Sequence, residues 1–383
     1  ASASSCCCGP SKATREPEKA AGTSACCGAS PRRADYTYGP APYVIGEVQT
    51  PAGPVPRLST ELTRSDRLGA WQMRWGIGRD DYRVRPGLYA IGDPDAKSPV
   101  LVTANYKLTV DALRSALAGL DAWVLVVDTV GINVWCAAGK GTFSAEEVAR
   151  VVEASRLSEV VEHHRLVLPQ LAAPGVAAHR VKEACGFRVV YGPIRAADIP
   201  RFLDAGMKVD AEMRTVSFDF GERLVLAPAE LNYLWDRRLL LAYAGVIAAS
   251  GIDRDGISLR RGLRRGLPVI GAAGLAVLAG GGITPLLLPW LPGRAFSLKG
   301  ATAGAGVALA TDAVLRGRLT PAARLTLLAG VPALASYVAM NFTGSSTITS
   351  PSGVQQEMRR ALPLQMTGAA VAVGGWLASR LGR

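Results

Sequence analysis

Between Gly266 and Gly293 the chain carries no charged side chain, and the same holds from Leu325 to Phe342 and from Ala361 to Ser379. A helix of roughly 20 apolar residues crosses a hydrocarbon core about 30 Å thick. A soluble bundle built from such segments would have almost no polar face. Phe296 to Leu315 is a weaker fourth candidate, because Lys299 lies near its start and Asp312 near its end. Leu239 to Ile252, behind Asp236-Arg237-Arg238, is a short fifth. The Gly and Ala content of these segments suits close helix approach within a bilayer. From residue 239 onward fourteen Lys and Arg stand against four Asp and Glu, which is most of the formal net charge of +12. These basic residues punctuate apolar segments, as membrane loops do. A nucleic-acid partner wants them along one soluble face, so no nucleic acid is expected and membrane lipid is.

The expected organisation has three parts. Residues 1–60, rich in Ala, Ser, Pro and Gly, read as a disordered arm holding five of the seven cysteines: Cys6, Cys7, Cys8, Cys26 and Cys27. Residues 61–228 alternate strand-like and helix-like segments. Val100–Thr103, Trp123–Asp128, Arg165–Leu168 and Arg188–Tyr191 read as buried strands. Residues 111–120, 145–155, 176–185 and 196–205 read as helices, and Ser217–Leu226 as an edge strand. Such alternation implies a parallel sheet with helices on both faces. Residues 229–383 form the transmembrane part. The first 35 residues lack the apolar run of a signal peptide, so the α/β part is expected on the cytoplasmic side of the membrane.

Residues 131–143, Gly-Ile-Asn-Val-Trp-Cys-Ala-Ala-Gly-Lys-Gly-Thr-Phe, follow the buried strand at 123–128, and Ser144 with Glu147 has the spacing of a helix-opening capping box. Cys136 therefore lies beyond the C-terminal end of a strand, where ligands bind in open α/β sheets. The Gly139-Lys140 pair is not a P-loop: Val134 stands where the first glycine is required, and Gly141 follows the lysine. Taken alone, Cys136 is equally a buried structural thiol.

Asn133-Val134-Trp135-Cys136-Ala137-Ala138-Gly139-Lys140 resembles the cap-helix motif of the mercury-methylating corrinoid proteins, the HgcA family, relatives of the large subunit of the corrinoid iron-sulfur protein. Residues 82–90, 102–108, 191–200, 223–231 and 285–300 resemble further blocks of that family, so the likeness covers about residues 70–383. It implies a Rossmann-like α/β corrinoid-binding domain followed by about five transmembrane helices. Charge counting favours four: then the Arg254–Arg265, Arg316–Arg324 and Arg380/Arg383 groups share one side. The resemblance implies that Cys136 ligates the cobalt of a cobalamin-type corrinoid from the lower face. Thiolate donation would favour departure of the opposite methyl group as a carbanion equivalent, which Hg(II) accepts. Asn133, Val134, Trp135, Ala137, Ala138, Gly139 and Lys140 are expected to order the segment against the ring. Lys140 reads equally as a solvated charge or as a partner for corrin amide or phosphate oxygens. Thr103, Asn105 and Tyr106, after another strand, are candidates for contact with the cofactor or its nucleotide tail. Leu168–Leu171 with Gly175, and Tyr191–Pro193, occupy similar positions. The implied partners are a dicluster 4Fe-4S ferredoxin as electron donor and a methyltetrahydrofolate-linked methyl donor.

His163 and His164 are adjacent and read as surface or core-edge residues, and Cys185 as a packed thiol. The terminal cysteines lack the spacing of zinc or iron-sulfur sites. They read equally as a mercury-capturing relay or as incidental. Two other functions remain: a corrinoid methyl carrier of acetyl-CoA-type one-carbon metabolism, and a membrane transporter or sensor with a cytosolic ligand domain.

Overall fold

The structure, a computed structural model, describes residues 41–235, 237–253, 256–345 and 351–381. They form two compact units: residues 41–63 with 80–214, and residues 64–79 with 215 onward. In chain order the elements begin with β1 (Val44–Thr50) and β2 (Gly53–Leu58), then α1 (Arg64–Arg74), which belongs to the second unit. The first unit continues with β3 (Gly87–Ile91), β4 (Val100–Ala104), α2 (Lys107–Ala116), β5 (Ala122–Val127), α3 (Val134–Lys140) and α4 (Ala145–Ala154). It closes with β6 (Arg165–Leu168), α5 (Ala178–Cys185), β7 (Arg188–Tyr191) and α6 (Ile199–Asp204).

Seven strands make one mixed sheet in the order β1-β2-β3-β5-β4-β6-β7. β5, β4, β6 and β7 are parallel, with Ala104 beside Val127 and Leu168 beside Tyr191. The four expected strands all form, and their C-terminal ends share one edge. β5 is buried along its whole length. Its alternate residues serve different cores: Trp123, Leu125 and Val127 pack with α3, α4 and α5, whereas Val124 and Val126 pack with α2 and α6. That is the period-two alternation of a strand covered on both faces.

Three expectations are corrected here. The sheet is not purely parallel, because β3 runs antiparallel to β5 and β1–β2 is a hairpin. The arm does not extend to residue 60: its last part is that hairpin, whose Gly/Pro-rich composition masked alternating strand residues. Its five cysteines lie outside the described residues. Ser217–Leu226 is not an edge strand, since Asp219 and Glu222 form a reciprocal capping box that starts a helix, α7 (Phe220–Leu231).

The second unit continues with α8 (Arg237–Gly251), a small hairpin of β8 (Ile252–Asp253) and β9 (Gly256–Ile257), and α9 (Leu259–Val277). α9 runs through a π-helical stretch, Leu278–Ile283, into α10 (Thr284–Leu286). Then come α11 (Phe296–Leu315), α12 (Pro321–Ser345) and α13 (Pro351–Leu381). Among the described residues three helical spans are long and apolar enough to cross a membrane: Leu259–Leu286, Pro321–Phe342 and Gly353–Ser379. That is fewer than the five expected. α8 has 15 residues, about 22 Å at 1.5 Å per residue, short of the hydrocarbon thickness. α11 carries Lys299 and Asp312. Lys299 donates to the carbonyls of Leu288 and Leu291 at 2.7 and 2.6 Å, and Asp312 pairs with Arg324. The small residues act as expected: a Cβ on Gly300 would lie 2.4 Å from Ala339 Cβ, so α11 and α12 pack nearly backbone to backbone.

Candidate functional site

β5 delivers the chain to a sharp turn before α3. Val130 and Gly131 both adopt the left-handed region, at φ of 63° and 71°. A β-branched residue there costs roughly 1–3 kcal/mol and persists only when its surroundings hold it. Asn105, fully buried just past β4, is the main restraint. Its Oδ1 accepts from the backbone N–H of Thr129 at 3.1 Å and of Gly131 at 2.9 Å, with the Thr129 hydroxyl also at 2.9 Å. Its Nδ2 donates to Asp128 Oδ1 at 3.0 Å, and that oxygen accepts from Val130 N at 3.0 Å. Gly131 is needed for space as well, since a Cβ would meet the Arg83 side chain at 2.9 Å.

α3 is short and capped at both ends. Asn133 Oδ1 accepts from Cys136 N at 2.9 Å, and Gly141, at φ 73°, closes the C-terminus with its N–H toward Ala137 O and Ala138 O. Val134, Ala137 and Ala138 are buried, Trp135 and Cys136 half-buried, and Gly139 and Lys140 exposed. Cys136, Gly139 and Lys140 share the outward face, being three and four residues apart. A Cβ on Gly139 would meet nothing within 4 Å. The free thiol of Cys136 is therefore followed, one turn on, by open space and then by a cation.

The loop after β6 supports α3 from behind. A Cβ on Gly175 would lie 2.6 Å from Ala138 Cα and O and 2.7 Å from Phe143 O, so backbone meets backbone there. The Tyr191 hydroxyl, at the end of β7, donates to Val176 O, and burial raises its pKa. The loops after β4, β5 and β6 and the end of β7 thus meet at one edge of the sheet, around α3 and the turn before it.

Of the strand-end candidates, Thr103 is buried within β4, and Tyr106 is half-buried at the start of α2, bridged to Arg83. Asn105 spends its side chain on the turn. Sequence reading selected it by position and missed that structural work, which depends on a partner strand twenty residues away. His163 and His164 lie at the opposite edge: His163 Nε2 contacts Ser98 O at 2.8 Å, and His164 stacks near Phe187. Cys185 lies there too; its thiol donates to Val181 O at 3.2 Å, and burial raises its pKa. Among the described residues no three His, Cys, Asp or Glu side chains converge as a metal site.

The α/β unit thus carries a half-exposed thiol at the C-terminal edge of its sheet, and comparison with known proteins shows what this unit is similar to. Residues 75–203 match the family model of the CO dehydrogenase/acetyl-CoA synthase delta subunit. That range holds β3 to β7 and the whole Cys136 edge, and none of α7 to α13. The chain is 41% identical over 128 residues to the acetyl-CoA decarbonylase/synthase complex subunit gamma of Methanopyrus kandleri. To the gamma subunit of Archaeoglobus fulgidus it is 35% identical, again over 128 residues. Each match covers 33% of this chain and 27% of the relative. The gamma subunit of Methanothermobacter thermautotrophicus is 34% identical over 137 residues, 34% of this chain and 30% of its own length. The chain thus spans less than a third of these relatives.

Proposed function

We propose that the chain is a membrane-bound corrinoid-dependent methyltransferase in which Cys136 is the lower ligand of cobalt and inorganic Hg(II) is the methyl acceptor. One observation carries this reading: among the described residues a half-exposed thiol at the C-terminal edge of the sheet stands on a doubly capped helix whose outward face is open at Gly139 and ends in Lys140. The donor set fits the cofactor, because a thiolate is a soft, strongly donating ligand and Gly139 leaves room for a flat ring beside it. When bound, the cobalt corrinoid supplies the methyl group. The chain's own contribution is positional and electronic. Asn133 and Gly141 fix the helix, Asn105 and Asp128 hold the strained turn that aims it, and the Cys136 thiol would give up its proton in holding the metal. Lys140 offers an ammonium at the rim for amide or phosphate oxygens. A dicluster ferredoxin as reductant and a methyltetrahydrofolate-linked donor complete the proposal, with the α/β unit on the cytoplasmic side.

The matched relatives favour a second reading, a corrinoid methyl carrier serving acetyl-CoA chemistry, since their names refer to acetyl-CoA decarbonylase/synthase complexes. The Asn133–Lys140 motif and the apolar helices favour the mercury acceptor. The test is the full chain in detergent, loaded with methylated corrinoid, offered Hg(II) or an acetyl-CoA synthase subunit, beside Cys136→Ala and Cys136→His. Methylmercury from the native chain, lost in the alanine variant with a changed corrin spectrum, is expected. Unchanged spectrum and activity in Cys136→Ala would remove the ligand assignment. Methyl transfer to the synthase alone would select the second reading.

A further inference from the structure

The second unit contains a cavity of about 670 Å³ among α9, α11, α12 and α13 that plays no part in the reading above. Arg264 and Arg265 from the first turns of α9 reach it, as do Arg318 and Thr320 from the α11–α12 connection and Trp376 and Ser379 from the last turns of α13. The deeper wall is apolar, made by Pro268, Ala272, Leu275, Leu315 and Leu327. The charged and aromatic groups therefore stand at one end, where four helix termini coincide, and the cavity runs from them along the apolar helices. Trp at such a level and Arg beside it are the pattern of a membrane–water interface.

Among the described residues of these helices the acidic groups are engaged elsewhere. Asp253 is engaged by Arg261 and Arg265 at 3.4 and 3.1 Å, Asp312 by Arg324, and the Glu357 carboxylate by the Ser297 backbone N–H at 2.6 Å. The Arg264 and Arg318 guanidinium groups have no ion-pair partner among the described residues, although they come from segments more than fifty residues apart. A free inorganic anion would use only the arginines. A zwitterionic lipid would bring the same phosphate together with a choline ammonium, whose charge opposes the arginines. We propose that this cavity binds one anionic phospholipid, with its phosphate between Arg264 and Arg318 and an acyl chain against Pro268, Ala272 and Leu275.

The experiment uses the full chain purified in neutral detergent and stripped of lipid. The readout is the lipid-dependent rise in Tm, with lipid retention counted by native mass spectrometry. The probes are dioleoyl-phosphatidylglycerol, dioleoyl-phosphatidylcholine and inorganic phosphate. Phosphatidylglycerol is expected to stabilise and remain bound at one per chain, phosphatidylcholine to do so more weakly because of its ammonium, and inorganic phosphate to do neither. Each arginine near a lipid surface strengthens binding roughly fivefold. Arg264→Gln with Arg318→Gln should therefore weaken it roughly thirtyfold. Arg294→Gln with Arg359→Gln removes equal charge outside the cavity lining and should leave it unchanged. Equal stabilisation by phosphatidylcholine or phosphate, or equal loss in the control pair, overturns the site. Reading the increment over lipid-free protein cancels any direct effect of the substitutions on folding. Corrinoid loading is unaffected in either outcome, so this result is independent of the proposed methyl transfer.

Discussion

Gly175→Ala tests how the helix carrying Cys136 is held. The new methyl carbon would sit 2.6 Å from Ala138 Cα and O and 2.7 Å from Phe143 O, where ordinary contact begins near 3.4 Å. The overlap is about 0.8 Å, and every obstructing atom is backbone, so no side-chain rotation relieves it. Either the loop after β6 or α3 must move by most of that distance. Forcing a methyl group into a packed site costs roughly 1–3 kcal/mol. For a unit of this size that lowers Tm by about 2–12 °C. A shift of the helix also displaces the thiol, and misplacement by about 1 Å is worth roughly a hundredfold in a positioned reaction. Gly139→Ala is the informative contrast. Its methyl meets nothing in the structure, and helix propensity favours alanine by up to about 1 kcal/mol, so the fold should be as stable or slightly more so. Because that methyl stands on the outward face beside Cys136, corrinoid loading should fall. The assay is thermal unfolding of the full chain in detergent together with a spectroscopic titration of the corrinoid. If Gly175→Ala melts and loads like the native protein, or Gly139→Ala loads normally, the account of this face is wrong.

Asn105→Ala leaves the buried N–H groups of Thr129 and Gly131 without their acceptor, at about 1–3 kcal/mol each, and releases the strained turn; denaturant unfolding should show a loss of several kcal/mol with an unchanged m-value. Asp210 has its pKa lowered first by the hydrogen bond from Met213 N at 2.8 Å and then by Arg201. Its contribution is thus present above the ordinary carboxylate range and lost as pH falls through the lowered folded value. Asp210→Asn should flatten the acid limb of a stability–pH profile, and an unchanged limb would contradict the assignment. Cys185 has its pKa raised by burial, so alkylation at neutral pH should be slow there, and Cys185→Ser should leave corrinoid loading intact; rapid modification at Cys185, seen by peptide mapping, would show the packing to be wrong.

Signals confined to a few neighbouring residues were legible in the sequence. The apolar runs at 100–103, 123–128, 165–168 and 188–191 are strands because near-continuous hydrophobicity suits only a sheet covered on both faces. Ser144 caps α4 as its spacing required, although Glu147 turns to Arg150 at 2.6 Å instead of closing the box. The segment around Cys136 could be placed beyond the C-terminal end of β5 for the same reason, since a strand and a helix start bracket it closely. Asp219 and Glu222 carried an equally local signal that the reading of Ser217–Leu226 overlooked.

The rest depended on partners far along the chain. Nothing near Val44–Thr50 or Gly87–Ile91 states that one closes a hairpin and the other runs antiparallel beside β5, because backbone pairing is indifferent to side-chain identity until the faces are packed. Composition likewise marked helices that suit a bilayer, but only the packed bundle brings Arg264 and Arg318 to one cavity. Asn105 holding Gly131, and Gly175 abutting Ala138, are contacts whose energy exists only once four separate strand ends have met.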